Sequence, residues 1–150
     1  MDYQQSRAYI RDAEQYAGGA LDLTNIKEIM KRLGNPQDQL KYVHVAGTNG
    51  KGSVIAYLYT TLTNAGYHVG RYISPSVYSY REKIEVEGTP ISREQFAKHT
   101  TRVAAVIEEM TAEGLAHPTP FEIETAVAFL FFAEEKCDPV ILEVGMGGIT

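Results

Sequence analysis

The sequence predicts an α/β fold, a mostly parallel sheet with flanking helices. Three observations carry that expectation. Apolar residues recur alternately with the period of a helix and the period of a strand. A short run of buried type, Tyr42 to Ala46, leads at once into the glycine-rich stretch Gly47-Thr48-Asn49-Gly50-Lys51-Gly52-Ser53 and then a helix. Strand, helix and strand follow one another within about thirty residues, the span of a βαβ unit, for which parallel strands and a right-handed crossover are expected.

Taken in order, a first helix is expected from about Ser6 to Ala17, ending at Gly18-Gly19. A second places Ile26, Ile29, Met30 and Leu33 on one face, begins near Asp22 or Thr24, and stops at Gly34-Asn35-Pro36. After the strand and glycine-rich stretch, the next helix runs to Asn64 and is closed by Gly66, and His68 to Ile73 forms the next strand. Ile84 to Ile91 is expected to be a small extended or hairpin excursion outside the core. Ser92 and Gln95 make a capping box opening a long helix with Phe96, Val103, Ile107 and Met110 inward. Thr119-Pro120-Phe121-Glu122 opens another, with a cap, a proline at the first helical position and a glutamate reaching back. Asp138 to Val144 is the last strand, followed by Gly145-Met146-Gly147-Gly148. Three parallel strands are visible, and a chain that stops in a glycine loop just after a strand leads us to expect a truncated α/β domain.

Composition narrows the class. With 150 residues, 44% of them hydrophobic, one soluble globular domain is expected, able to bury roughly 70% of its unfolded surface without a disulfide or metal. Cys137 is the single cysteine, and the N-terminal residues show no basic segment running into an apolar one, so a reducing cytoplasm is expected. The longest apolar run, Ala126 to Ala133, is far short of the ~20 residues a membrane-spanning helix needs. The net charge is −5 and the basic residues are scattered, which argues against nucleic acid as a partner because that affinity rests on dense phosphate neutralisation. Tyr72, Tyr78 and Tyr80 could form a base-stacking strip, but such a cluster more often folds over a pocket. His44, His68, His99 and His117 have no metal-binding spacing.

The chemistry concentrates in residues 47 to 53. Glycines let successive backbone N–H groups converge on one point. A helix starting near Gly52 adds its unpaired N–H groups and its dipole, and Lys51 adds a full positive charge. Such a site suits a di- or triphosphate. Only Thr48 and Asn49 separate Gly47 from Gly50-Lys51, two residues where the standard P-loop has four. A plain glycine-rich connector with a solvated lysine is one alternative. A dinucleotide fingerprint is another, opposed by the lysine's position and by the absence of an acidic residue at the end of the next strand.

In a parallel sheet, ligands gather beyond the carboxyl ends of the strands. The loop after Ala46, Ser74-Pro75 and Glu143 all fall there. A carboxylate ending an apolar strand needs a partner or a cation, and hydroxyl and carboxylate oxygens suit Mg²⁺. Equally, Ser74 could simply begin a turn and Glu143 pair with a lysine.

Gly-Thr-Asn-Gly-Lys after a buried strand resembles the ATP loop of the Mur ligase superfamily, and the continuation Gly-Ser resembles folylpolyglutamate synthase and the related dihydrofolate synthase. Six further stretches match in the family's order: Leu33-Gly34-Asn35-Pro36, Ala65 to Gly70, Ser74-Pro75, Tyr80 to Ile84, Phe121-Glu122 with Thr125-Ala126, and Leu142 to Gly148. The resemblance implies a P-loop-containing nucleotide-binding domain like the Mur ligase central domain, spanning residues 1–150 and incomplete, with the C-terminal glutamate ligase domain absent. It implies an ATP-dependent amide ligase joining L-glutamate to a folate or pteroate, with ATP and Mg²⁺ as cofactors and the full-length protein a monomer. By residue, Asn49, Gly50, Lys51, Gly52 and Ser53 bind the nucleotide, Lys51 and Glu143 are catalytic, and Ser74 and Glu143 hold Mg²⁺. Ala20, Leu21, Asp22, Thr119, Pro120, Phe121 and Glu122 line the pteridine pocket. The family usually continues Ser-Pro-His where Ser76 stands here. The 150 residues alone are expected to bind ATP weakly and not to turn over. A non-catalytic nucleotide-binding module remains open, as does a peptidoglycan Mur ligase, which more often has two hydroxyl residues where Gly52-Ser53 stand.

Overall fold

The structure is a computed structural model that describes residues 1–17, 24–45, 51–74 and 79–144, excepting the side chains of residues 45, 51–56, 74 and 144. The chain divides into two compact units, Met1–Gln37 with Ser92–Phe131, and Asp38–Ile91 with Phe132–Thr150.

The first unit is helical among its described residues. Helix α1 spans Tyr3–Asp12, starting three residues before the expected Ser6 and passing into a 3-10 turn at Ala13–Tyr16. The reason is a capping box: the Gln5 N–H donates to Asp2 Oδ1 at 2.7 Å, and the Asp2 N–H donates to Gln5 Oε1 at 2.8 Å. Helix α2 spans Thr24–Arg32 and buries Ile29 and Met30. It ends as expected, with Gly34 at φ 89° and Asn35 at φ 53°, left-handed values that stop a helix. Helix α4 spans Arg93–Ala112, and its Ser92–Gln95 capping box forms. Phe96, Val103, Ile107 and Met110 are all buried, and the Tyr3 ring meets Phe96 edge-on at 5.6 Å. Helix α5 spans Pro120–Glu134 and begins in this unit.

The second unit holds the sheet. Its elements are β1 (Tyr42–Val45), helix α3 (Lys51–Asn64), β2 (Gly70–Ser74), β3 (Ile84–Val86), β4 (Thr89–Pro90) and β5 (Val140–Val144). The strand order is β1-β5-β2-β3-β4. β5 lies parallel to both β1 and β2, whereas β3 runs antiparallel to β2 and β4 antiparallel to β3. The three parallel strands are those expected. The hairpin is not a peripheral excursion: it extends the same sheet and buries Ile84, Val86 and the following Ile91. Its alternation explains this, since Ile84 and Val86 point to one face while Glu85 points to the other.

One face carries Val43, Val69 and Ile141, against which Leu58, Tyr59 and Leu62 of α3 pack. The other carries Gly70, Tyr72, Ile84 and Val86. A Cβ at Gly70 would meet Phe132 Cδ1 at 2.8 Å and Cys137 Sγ at 3.1 Å. Tyr72 is 2% exposed, so it is a core residue, and Tyr80 lies against the Lys83 ammonium, its ring centre 4.8 Å away. Those two positions do not form a stacking strip, and Tyr78 lies outside the described residues.

Burial pushes the Cys137 thiol and the Tyr9, Tyr42 and Tyr59 hydroxyls up to about 12. These groups bind protons more tightly folded than unfolded. Their contribution to stability is therefore complete below their ordinary values of 9.0 and 10.0 and is lost as pH rises through the folded values. The chain has 10 tyrosines and no tryptophan, so absorbance at 295 nm reads tyrosinate alone. A native titration is expected to lag the urea-unfolded one above pH 10, with thermal stability falling over the same range. All tyrosines titrating together near 10 would contradict this packing.

Candidate functional site

The parallel strands determine what meets at their carboxyl ends. β5 is central, and Glu143 pairs with Val45 of β1 on one side and with Ile73 of β2 on the other. The next pair along β2 and β5 is Ser74 with Val144. Glu143 therefore sits between the strand that leads into the glycine-rich stretch and the strand that ends at Ser74. Helix α3 starts at Lys51, so the backbone N–H groups of Lys51, Gly52 and Ser53 belong to its first turn, where they have no intrahelical acceptor. Asn49 and Gly50 lie outside the described residues.

The Glu143 side chain is 12% exposed and its Oε2 lies 3.6 Å from Arg71 Nη2. An arginine therefore stands beside this carboxylate. Arg71 Nη1 in turn lies 3.8 Å from Oε2 of Glu85, whose side chain is 14% exposed. Arg71 and Glu85 are opposed across β2 and β3, a favourable cross-strand pair. Burial pushes the Glu85 carboxyl above its ordinary value, against the opposing pull of Arg71. Two largely buried carboxylates thus flank one guanidinium. Hard carboxylate oxygen is the donor Mg²⁺ prefers, so the residues present fit the ion.

Sequence reasoning missed Arg71 and Glu85. A charged residue inside a strand of buried type was the available signal, because such a residue requires a partner; which partner depends on register, which the sequence does not display.

The other candidates lie elsewhere. In the helical unit, the Thr119 N–H donates to Glu122 Oε1 at 2.9 Å and the Thr119 hydroxyl donates to the same oxygen at 3.1 Å, directly ahead of Pro120 and Phe121. Glu122 is 8% exposed, and helix capping accounts for its geometry. Ala20, Leu21, Asp22 and Ser76 lie outside the described residues. Cys137 is buried, and its raised thiol value makes it a poor nucleophile. No group of three or more His, Cys, Asp or Glu side chains placed to hold a metal ion occurs among the described residues, and no described helix is long and apolar enough to cross a membrane.

The chain is 42% identical over 147 residues to the dihydrofolate synthase/folylpolyglutamate synthase of Bacillus subtilis, covering 97% of this chain and 34% of that protein. This chain belongs to the folylpolyglutamate/dihydrofolate synthase family. It also resembles the folylpolyglutamate synthetase of Lactobacillus casei, with TM-score 0.86 and 32% identity over 100% of this chain and 38% of that one. A solved FPGS–AMPPCP–folate complex superposes with TM-score 0.84 at 33% identity, over 99% of this chain and 36% of that one. No protein-family model matches. The chain spans about a third of the length of these folylpolyglutamate and dihydrofolate synthases.

Proposed function

We propose that this chain supplies the nucleotide-binding part of a cytoplasmic ATP-dependent ligase, a monomer at full length, that joins L-glutamate to a folate. The acceptor is tetrahydrofolate in polyglutamylation, dihydropteroate in dihydrofolate synthesis, or both. A carboxylate oxygen of the acceptor attacks the γ-phosphorus of ATP, and the bond to the bridging oxygen of ADP breaks. The amine of glutamate then attacks the resulting acyl phosphate, losing a proton as inorganic phosphate departs and the amide forms.

The chain's task in the first step is positioning and charge neutralisation, since phosphoryl transfer asks little covalent work of side chains. Lys51 and the N–H groups of Asn49, Gly50, Lys51, Gly52 and Ser53 hold the phosphates. Ser74 and Glu143 would hold Mg²⁺, which when bound offsets charge on the phosphate oxygens. Thr119, Pro120, Phe121 and Glu122, with Ala20, Leu21 and Asp22, line the pteridine pocket.

The observation that carries this reading is the register that sets Glu143 between the approach to the phosphate loop and Ser74. Support comes from the start of α3 at Lys51 and from the relatives' complex with AMPPCP and folate. The test supplies the protein at its full natural length with Mg·ATP, glutamate and, in separate reactions, tetrahydrofolate or dihydropteroate. ADP release requiring both glutamate and one of these acceptors is expected. Release indifferent to either would overturn the reading.

A further inference from the structure

We propose that Arg71 is a positioning residue for Glu143: its guanidinium, braced by Glu85, fixes the direction of the Glu143 carboxylate at the carboxyl ends of the parallel strands. The inference rests on the proposed role of Glu143 in holding the cation, and adds two residues to that site.

Three strands contribute one side chain each. Arg71 of β2 stands opposite Glu85 of β3 and opposite Ile141 of β5, so Glu143 lies one same-face step further toward the strand ends. The fork reaches both carboxylates at once, Nη1 at 3.8 Å from Glu85 and Nη2 at 3.6 Å from Glu143. A lysine offers one ammonium head and could not straddle them in this way. Charge-assisted hydrogen bonds are shorter, about 2.7–2.9 Å. The guanidinium is thus close enough to steer Glu143 by charge, yet does not clamp its oxygen against a cation.

Burial makes the steering effective. The Arg71 side chain is 27% exposed and both carboxylates less so, conditions in which charge attraction is far stronger than at a solvated surface. Arg71 Nε is buried and finds no acceptor among the described residues, so the guanidinium is not otherwise saturated. Packing from Tyr59 and its neighbours on α3 covers the same sheet face, and supporting groups held on rigid strands orient a metal ligand better than groups on a loop.

The test measures AMPPCP binding by calorimetry across a series of Mg²⁺ concentrations, in the protein at its full natural length. R71Q is expected to raise the Mg²⁺ midpoint about ten-fold or more, leaving AMPPCP affinity in EDTA unchanged. R71K should recover part of the shift, because it restores charge without the fork, and E85Q should shift the midpoint less than R71Q. A merely structural ion pair would instead weaken binding equally with and without metal. An E143Q control separates the two claims: if E143Q removes the Mg²⁺ effect and R71Q leaves the midpoint in place, the positioning role is wrong and the metal reading stands. If E143Q leaves the Mg²⁺ effect intact, the metal reading fails and takes this inference with it. Should R71Q not fold, R71K decides, an unshifted midpoint overturning the proposal.

Discussion

Replacing Lys51 with alanine is expected to weaken AMPPCP binding by roughly ten- to a hundred-fold, because a hydrogen bond to a charged group is worth about 1.5–3 kcal/mol. Lys51 is the first residue of α3, so its backbone N–H belongs to a helix start that the substitution leaves intact. Alanine is also a good helix former, and the melting temperature should barely move. Arginine at the same position keeps the charge but not its compact shape, and is expected to recover only part of the affinity. Side-by-side calorimetry of the lysine, alanine and arginine forms checks this. Equal affinities for all three would mean that the glycine-rich stretch is a connector and that the nucleotide sits elsewhere.

Gly70→Ala is expected to destabilise the fold by about 1–3 kcal/mol, the usual cost of forcing extra carbon into a packed core, and Gly70→Val by more. The backbone at Gly70 is not left-handed, so the cost is purely steric: the added Cβ would sit 2.8 and 3.0 Å from two Phe132 ring atoms and 3.1 Å from the Cys137 sulfur. The ring belongs to the covered side of a central strand pair, where it has little room to retreat. Phe132→Leu alone should also destabilise, by opening space. Combined with Gly70→Ala, it should cost less than the sum of the two single changes, since each relieves the other's misfit. Urea denaturation of the four forms measures the coupling. Strict additivity would show that Gly70 and Phe132 do not compete for the same space.

Much of the fold was legible because local chemistry and global fold agree. Ser92 with Gln95, Thr119 with Glu122, and Gly34-Asn35 each terminate a helix by hydrogen bonds or backbone angles that depend on neighbouring residues alone. The same kind of cap at Asp2 and Gln5 was present in the sequence and went unused, which is why the first helix begins before Ser6. What could not be read is pairing between distant strands. Ile84-Glu85-Val86 alternates like any exposed hairpin, and only its placement beside β2 turns Ile84 and Val86 into core and Glu85 into the partner of Arg71. The candidate site divides along the same line. Its members, from the residues before Lys51 to Ser74 and Glu143, followed from strand ends and residue chemistry. Their adjacency depended on β5 lying between β1 and β2.

That insertion has a consequence for biogenesis. The strand that joins β1 to β2 is the last of the five to leave the ribosome, so a nascent chain that has emerged only through β4 has two parallel strands with an empty lane between them. Pairings so far apart in sequence are slow to form, and unpaired strand flanks invite other chains. The proposed nucleotide site is incomplete until Val140–Val144 slides in. A ligand that favours the closed sheet should therefore speed recovery of refolded protein only after this segment is present.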